Sequence, residues 1–325
     1  MKTIALAIGA GLASALLFLA VSAGTLLAIP LFYLAPLPIL IAGLGWGTAS
    51  GWIAAAAGSA TIAVTGLPSA AVYVLACALP AAFLARLAML GRPVDETIPG
   101  SPTEWYPAGR MLLWCAAYGA LLSLIFMTII GFDTERLAEL FKQMLTGAQE
   151  SGERLPLPAN GGLDADAFAR TMATLLPRVF ALVWIISIVL NLWLAVRVTA
   201  ASARLQRPGS LFADLRIPRE GALALVIGIP LSFFGGAIGL AGMIVTAAFA
   251  AVFAFGGIVA IHRVTRGQPW RPIALGALYA ALLTLTLWVL LPLAIVGIVD
   301  SISPFGGKGG GPLANSSHSN SNQGD

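Results

Sequence analysis

The most informative feature of this 325-residue sequence is an absence of charge near its beginning. From Thr3 to Ala85 there is no Asp, Glu, Lys, Arg or His. A soluble domain cannot leave a stretch of this length uncharged, because charged side chains cover its surface. A membrane-spanning helix needs about 20 apolar residues, so the stretch has room for about four crossings. The sequence therefore predicts a polytopic integral membrane protein.

Residue types that carry chemistry are also scarce. The sequence has two cysteines, Cys77 and Cys115, and two histidines, His262 and His318. We interpret both cysteines as small buried apolar residues within spans, and neither histidine belongs to a metal-binding motif such as HExxH. There is no serine-nucleophile elbow, phosphate-binding loop or CxxC, and the spans carry no carboxylate pair. We therefore expect no catalytic residue, no metal, no cofactor and no enzymatic activity.

The apolar runs predict an all-α fold. Backbone polar groups in lipid must be paired internally, which leaves helices or a closed β-barrel. Barrel strands alternate polar and apolar residues, whereas these runs are continuously apolar and rich in Ala and Leu. We expect a single transmembrane helical domain, residues 1–302, and a disordered tail rich in Gly, Ser and Asn, residues 303–325. Nine spans are predicted, at 4–28, 31–47, 50–66, 69–90, 109–131, 178–197, 221–235, 238–261 and 273–298.

Three of these spans have alternatives. Lys2, the apolar stretch and Val21-Ser22-Ala23 resemble a cleavable signal peptide. Because the apolar run continues to Ile29, we favour an uncleaved first helix. The second and third spans are short and joined by Gly45-Trp46-Gly47-Thr48, so they fit either a tight hairpin or a re-entrant pair.

Basic residues between the spans predict the orientation. With the N-terminus inside, 12 of the 18 basic residues fall in cytoplasmic segments: Lys2, Arg86, Arg92, Arg110, Arg197, Arg204, Arg207, Arg216, Arg219, Arg263, Arg266 and Arg271. The other six fall outside: Arg136, Lys142, Arg154, Arg170, Arg178 and Lys308. Since topology explains these charges, they do not indicate a nucleic-acid partner.

The longest polar insertion, residues 132–177, is predicted to lie outside. Within it, Leu137, Leu140, Phe141, Met144 and Leu145 share one face of a predicted amphipathic helix. This helix could lie on the outer membrane face or over the mouth of the bundle. A solvated connector with one helical turn packed on the bundle fits equally well.

Few polar side chains lie within the spans, and these are the candidates for ligand or inter-helix contacts. Asn191 is the most polar residue deep in a span, where its amide should find a partner on another helix. Tyr33, Tyr73 and Tyr118 could line a cavity or lie at the membrane interface. Asp300 ends the last span, as an interfacial residue, a cap or a ligand contact.

Small residues at four-residue spacing predict close helix packing. The glycines with this spacing are Gly43, Gly47, Gly51, Gly235 and Gly239. Pro30, Pro36 and Pro38 predict broken helices just before the first of them, and broken helices often frame a binding site. By this pattern, residues 30–51 are the best candidate for a cavity.

The order of these features resembles the YybS-like family of bacterial predicted membrane proteins, a family of unknown function. The residues that carry the resemblance, over about residues 5–302, are Pro36-Leu37-Pro38, Gly43, Gly45, Gly47, Gly51, Leu215-Arg216-Ile217-Pro218 and Gly297-Ile298-Val299-Asp300. That family is distantly similar to the substrate-binding S components of energy-coupling-factor vitamin transporters. The resemblance implies a location in the bacterial cytoplasmic membrane and transfers no catalytic residue. This chain has about three more spans than an S component and a long outer segment.

Two functions follow as expectations. The protein could be a small-molecule binding or transport-like subunit, with the ligand near Tyr33, Asn191 and residues 30–51. Alternatively, it could be a non-enzymatic scaffold of the cell envelope that binds other membrane proteins through residues 132–177. We favour the first because of the family resemblance.

Overall fold

The computed structural model describes residues 2–25, 27–95, 97–98, 101–131, 134–150, 165–205, 207, 211 and 215–303. The predicted tail lies outside the described residues from residue 304 onward. Helices dominate the described part of the chain. They are α1 (Lys2–Leu19), α2 (Ala28–Tyr33), α3 (Leu37–Trp46), α4 (Thr48–Ala63), α5 (Leu67–Tyr73), α6 (Leu79–Ala88), α7 (Ala108–Ile130), α8 (Thr134–Glu150), α9 (Ala165–Ala201), α10 (Ala222–Leu231), α11 (Gly236–Val264) and α12 (Arg271–Ile302).

A small β-hairpin follows α6 and departs from the all-α prediction. Strands β1 (Gly91–Pro93) and β2 (Thr103–Trp105) pair antiparallel. Arg92 and Glu104 face each other across the pair, with 2.7 Å between Nη2 and Oε2. Strands of three residues, one of them containing proline, are too short to produce a periodic signal, so the sequence did not reveal them.

Six helical segments in the described residues are long and apolar enough to cross a membrane. They are Lys2–Ser22, Ala28–Trp46, Leu67–Ala88, Ala108–Ile129, Asp166–Ala201 and Gly236–Val264. The prediction of a helical polytopic bundle is therefore confirmed. The predicted spans 50–66, 221–235 and 273–298 are not among the six.

Two of these three predicted spans correspond to short helices. α4 has 16 residues and α10 has 10, so the helices are about 24 Å and about 15 Å long. Both are shorter than the hydrocarbon core, which is about 30 Å thick. α4 packs against α1 and α3, and α10 packs along the first half of α11.

The third of them, α12, is bent. The Tyr279 hydroxyl is 3.2 Å from His262 Nε2, and Asp300 forms an ion pair with Arg263. A straight helix would hold residues 279 and 300 roughly 30 Å apart, which is too far for both to reach neighbouring residues of α11. Pro292 lies in this stretch and interrupts the helical hydrogen bonding. The ion pair therefore brings Asp300 to Arg263 near the end of α11, and a single crossing by residues 273–298 is not confirmed.

Glycines allow three helix pairs to approach closely. A β-carbon on Gly11 of α1 would collide with the Ala54 carbonyl of α4, and one on Gly51 would lie 3.1 Å from the Gly43 Cα. Between α11 and α12, a β-carbon on Gly297 would collide with the Phe253 carbonyl. Lipid is as apolar as these helices, so close van der Waals packing of this kind holds the bundle together.

Candidate functional site

The break between α2 and α3 is held by side chains of another helix. Pro36 and Pro38 have no N–H, and Leu37 donates its N–H to the Leu34 carbonyl oxygen (3.0 Å). The Tyr33 carbonyl is thereby left for α9, where Asn191 Nδ2 (2.7 Å) and Ser187 Oγ (3.1 Å) donate to it. Asn191 is 1% exposed, and its Oδ1 has no partner among the described residues. The predicted inter-helix contact of Asn191 is thus a cap on a broken helix.

A second freed carbonyl in the same break is capped from α1. Ser14 Oγ donates to the Ala35 carbonyl oxygen (2.6 Å). Pro38, three residues further along the chain, has no N–H to donate to that oxygen. The Ser14 hydroxyl is also 2.7 Å from the Tyr73 hydroxyl, which must donate because Ser14 has spent its only proton. Tyr73 is fully buried, with its ring edge against Phe18. Tyr73 therefore joins α1 to α5 in the core of the bundle and does not line an open cavity.

The same arrangement recurs between α5 and α6. Residues 74–78 form a π-helical turn, and Pro80 follows it without an N–H. Two carbonyl oxygens of the turn accept hydrogen bonds at 2.8 Å, Leu75 from the Tyr118 hydroxyl and Ala76 from Trp184 Nε1. Tyr118 and Trp184 come from α7 and α9, so three helices meet at this turn. Tyr118 consequently has a packing role in the structure.

The predicted packing glycines divide into two groups. Gly43 and Gly51 lie where α3 and α4 cross. Gly47 forms the turn between these helices, where its φ of 97° requires a glycine. Gly235 precedes α11, and a β-carbon on it would have nothing within 4 Å, whereas one on Gly239 would collide with the Phe234 carbonyl of the adjacent turn. The expectation that Gly47, Gly235 and Gly239 pack helices together therefore does not match the structure.

A groove lies elsewhere, between α9, α11 and α12. It has a volume of about 760 Å³ and an opening along one side. Its walls are mostly apolar and include Leu182, Ile186, Val189, Leu190 and Trp193 of α9, Val252, Phe255, Ile258 and Val259 of α11, and Leu282 and Leu290 of α12. None of the predicted contacts Asn191, Tyr33, Tyr73, Tyr118 and Asp300 lines it. Residues 30–51, where the cavity was predicted, hold the break between α2 and α3 and do not line this groove.

One end of the groove is polar. His262, Arg266, Arg271 and Tyr279 line it there, around the connection from α11 to α12. His262 Nδ1 is 3.0 Å from the Ile258 carbonyl oxygen, which can only accept, so Nδ1 carries a proton. In the neutral ring Nε2 then accepts from the Tyr279 hydroxyl. The two arginines supply positive charge just beyond this pair.

The ion pair between Arg263 and Asp300 holds the wall of the groove beside this end. Their side chains are 11% and 4% exposed, and Arg263 Nη1 also lies 3.4 Å from the Leu215 carbonyl oxygen. A buried charge needs such partners. Asp300 therefore positions the end of α12 against α11, and it contacts no part of the groove itself.

Sequence reasoning missed the groove because it treated Arg266 and Arg271 only as markers of topology and considered His262 only as a metal ligand. A signal was present. Residues 252, 255, 259, 262 and 266 follow the three- and four-residue spacing of one helix face. That face changes from apolar to basic along its length. The partner walls come from α9 and the bend of α12, which no local pattern brings together.

The fold thus defines an integral membrane protein whose broken helices are capped by neighbouring side chains and whose lateral groove is apolar along its length and basic at one end. The chain belongs to the DUF2232 family, described as a predicted membrane protein, whose model matches residues 12–301. No curated protein and no solved structure matches the chain. Family and fold together confirm the prediction of a multi-pass membrane protein.

Proposed function

We propose that this protein is a non-enzymatic binding subunit of the bacterial cytoplasmic membrane that takes up a small molecule in the groove between α9, α11 and α12. The observation that carries the proposal is the groove itself. Its volume of about 760 Å³ falls within the range of about 300–1,000 Å³ typical of small-molecule sites. Apolar walls with a few polar groups at one end are also typical of such sites. The resemblance to transporter S components adds support for a transport-like role.

Contacts between distant segments support the part of the proposed topology that puts the predicted cytoplasmic segments on one side of the membrane. The Arg204 guanidinium lies 4.8 Å from the Trp46 ring, and Arg207 donates to the carbonyl oxygens of Ala88 (3.4 Å) and Tyr106 (3.0 Å). All of these residues belong to segments or span ends predicted to be cytoplasmic. The bend of α12 adds residues 300–303 to the same side.

The scaffold alternative depends on the apolar face of α8 being available to a partner. Leu137 of that face is buried and Phe141 is half-buried, beside the buried Ala138, in a helix that packs along α9, whereas Leu140 is 42% exposed. Two ion pairs, Lys142 with Asp166 (2.7 Å) and Glu135 with Arg170 (3.6 Å), reinforce this packing. Because α8 already uses this part of its apolar face within the chain, we favour the binding function.

The test is native mass spectrometry of the full-length protein extracted gently from its own membrane. Ala251→Trp places a bulky ring in the groove, whereas Ala277→Trp places the same ring on an exposed face of α12. We expect a co-purifying small molecule on the unchanged protein and on Ala277→Trp, and its loss from Ala251→Trp. A molecule retained by Ala251→Trp, or no bound molecule on any of the three, would contradict the proposal.

A further inference from the structure

The charge at the end of the groove identifies the class of molecule that it takes. Arg266 is exposed and Arg271 is half-buried, and both border the groove. Among the described residues, neither has a carboxylate partner, whereas Arg263 one turn away is paired with Asp300. Two cationic groups beside an apolar channel are complementary to a ligand with an anionic head and an apolar body.

The open side of the groove indicates where such a ligand enters. Ile186, Leu190 and Trp193 form the α9 rim, and they are 57%, 48% and 45% exposed. These residues belong to a membrane-spanning segment, so their exposed surface faces acyl chains and not water. A lipid can therefore slide into the groove sideways without leaving the hydrocarbon layer.

The basic end lies at a defined depth in the bilayer. Arg266 lies in the connection between α11 and α12, and Arg271 is the first residue of α12. The distribution of positive charge assigns both to the cytoplasmic side. Anionic headgroups of the cytoplasmic leaflet bind to basic pockets between spanning helices. The acyl chain of such a lipid would thus lie against the apolar walls of the groove, and its headgroup would lie at the basic end.

We propose, resting on the binding function above, that the occupant of the groove is an anionic phospholipid of the cytoplasmic leaflet. Its phosphate lies between Arg266 and Arg271, and an acyl chain runs between α9 and α11 towards Leu182. The pair formed by His262 and Tyr279 lies between the two regions and separates the headgroup from the apolar walls.

The test compares palmitoyl-oleoyl phosphatidylglycerol with palmitoyl-oleoyl phosphatidylcholine, each titrated onto the delipidated full-length protein in detergent and followed by native mass spectrometry. An arginine near the membrane surface contributes about a fivefold preference for an anionic lipid, so the two together contribute roughly 25-fold. We expect this preference in the unchanged protein and its loss in the double variant Arg266→Gln/Arg271→Gln. The matched control, Arg86→Gln/Arg110→Gln, removes two exposed arginines predicted to lie on the same side and should keep the preference.

The outcomes separate this inference from the proposed function. If Ala251→Trp abolishes lipid binding but Arg266→Gln/Arg271→Gln keeps the preference for the anionic lipid as the control variant does, the groove binds an apolar molecule. The proposal of an anionic headgroup is then wrong. If inorganic phosphate alone competes fully with phosphatidylglycerol, the site recognises a free anion and the lipid is wrong. Equal binding of the two lipids to the unchanged protein also overturns the inference, and failure of every ligand to bind overturns both proposals.

Discussion

The hydrogen bonds to the Tyr33 carbonyl support a quantitative prediction about what Asn191 does. Two donors of α9 reach this oxygen, Asn191 Nδ2 at 2.7 Å and Ser187 Oγ at 3.1 Å. The perturbations are Asn191→Leu, Ser187→Ala and the two combined. Either single change leaves one donor to the Tyr33 carbonyl oxygen in place. The double variant removes both, and Pro36, three residues further along the chain, has no N–H to replace them.

The expected costs follow from the environment of the carbonyl. An inter-helix hydrogen bond in a membrane protein contributes about 0.6–1.7 kcal/mol, so each single variant should lose about 1 kcal/mol of unfolding free energy. For Asn191→Leu the loss is partly offset, because the unpartnered Oδ1 of Asn191 is removed as well. A buried polar group left without any partner costs about 1–3 kcal/mol. The double variant should therefore lose about 3 kcal/mol, more than the sum of the two single losses.

The assay is reversible unfolding in mixed micelles with increasing sodium dodecyl sulfate, followed by tryptophan fluorescence. Ser59→Ala is the matched control, because the Ser59 hydroxyl, within the part of the chain that the structure describes, bonds only to the Ala55 carbonyl of its own helix (2.7 Å). We expect that control to stay within about 0.5 kcal/mol of the unchanged protein. If the loss in the double variant equals the sum of the two single losses, Asn191 and Ser187 do not share the Tyr33 carbonyl oxygen as their acceptor. Loss of a bound ligand from a fully stable Asn191→Leu protein would instead make Asn191 a ligand contact.

Three other predictions concern packing, charge and topology. Gly11→Ala should lower the free energy of unfolding by about 1–3 kcal/mol, because the new methyl group collides with α4. Gly9→Ala has open space around it and should be neutral or stabilising. Equal effects of the two variants in the same unfolding assay would contradict the close crossing of α1 and α4. Asp300→Asn removes the carboxylate charge from a buried ion pair and should cost about 3–5 kcal/mol, measured the same way; a loss below about 1 kcal/mol would place the pair in water. In sealed inverted vesicles, a cysteine at Ser301 should react with an impermeant maleimide as readily as one at Ser202, and reaction of Ser301 from the opposite side would restore a single crossing by α12.

The sequence predicted the membrane bundle because its signal is composition. A charge-free stretch of this length has few alternatives in a folded protein. The ends of two spans were also close: the predicted 109–131 corresponds to Ala108–Ile130, and 238–261 lies inside Gly236–Val264, whereas 178–197 covers only the second part of Ala165–Ala201. The lengths of α4 and α10 and the bend of α12 were not predicted, because hydropathy shows that a run is apolar and does not show where its helix ends or bends.

The candidate site shows where this reasoning fails. Asn191, Tyr73 and Tyr118 were selected because polar groups in lipid need partners, and the structure does give each of them a hydrogen bond. Asn191 and Tyr118 donate to carbonyl oxygens next to helix breaks, and Tyr73 bonds to the Ser14 hydroxyl. No pattern in the sequence connects these residues to their partners. Arg266 and Arg271, in contrast, were interpreted from the sequence only as markers of topology, so their possible role in binding was not considered. A positive charge at a membrane interface can both set the orientation of the protein and bind a ligand. The groove beside these two arginines is what suggests the second role.

The most direct test of the binding proposal is to locate the ligand. We would determine a cryo-electron microscopy map of the full-length protein in nanodiscs that contain phosphatidylglycerol, with a rigid antibody fragment bound for alignment. The account predicts elongated density in the groove between α9, α11 and α12, with its widest part beside Arg266 and Arg271. An empty groove, with ligand density beside Tyr33 and Asn191 or no ligand density within the bundle, would contradict it.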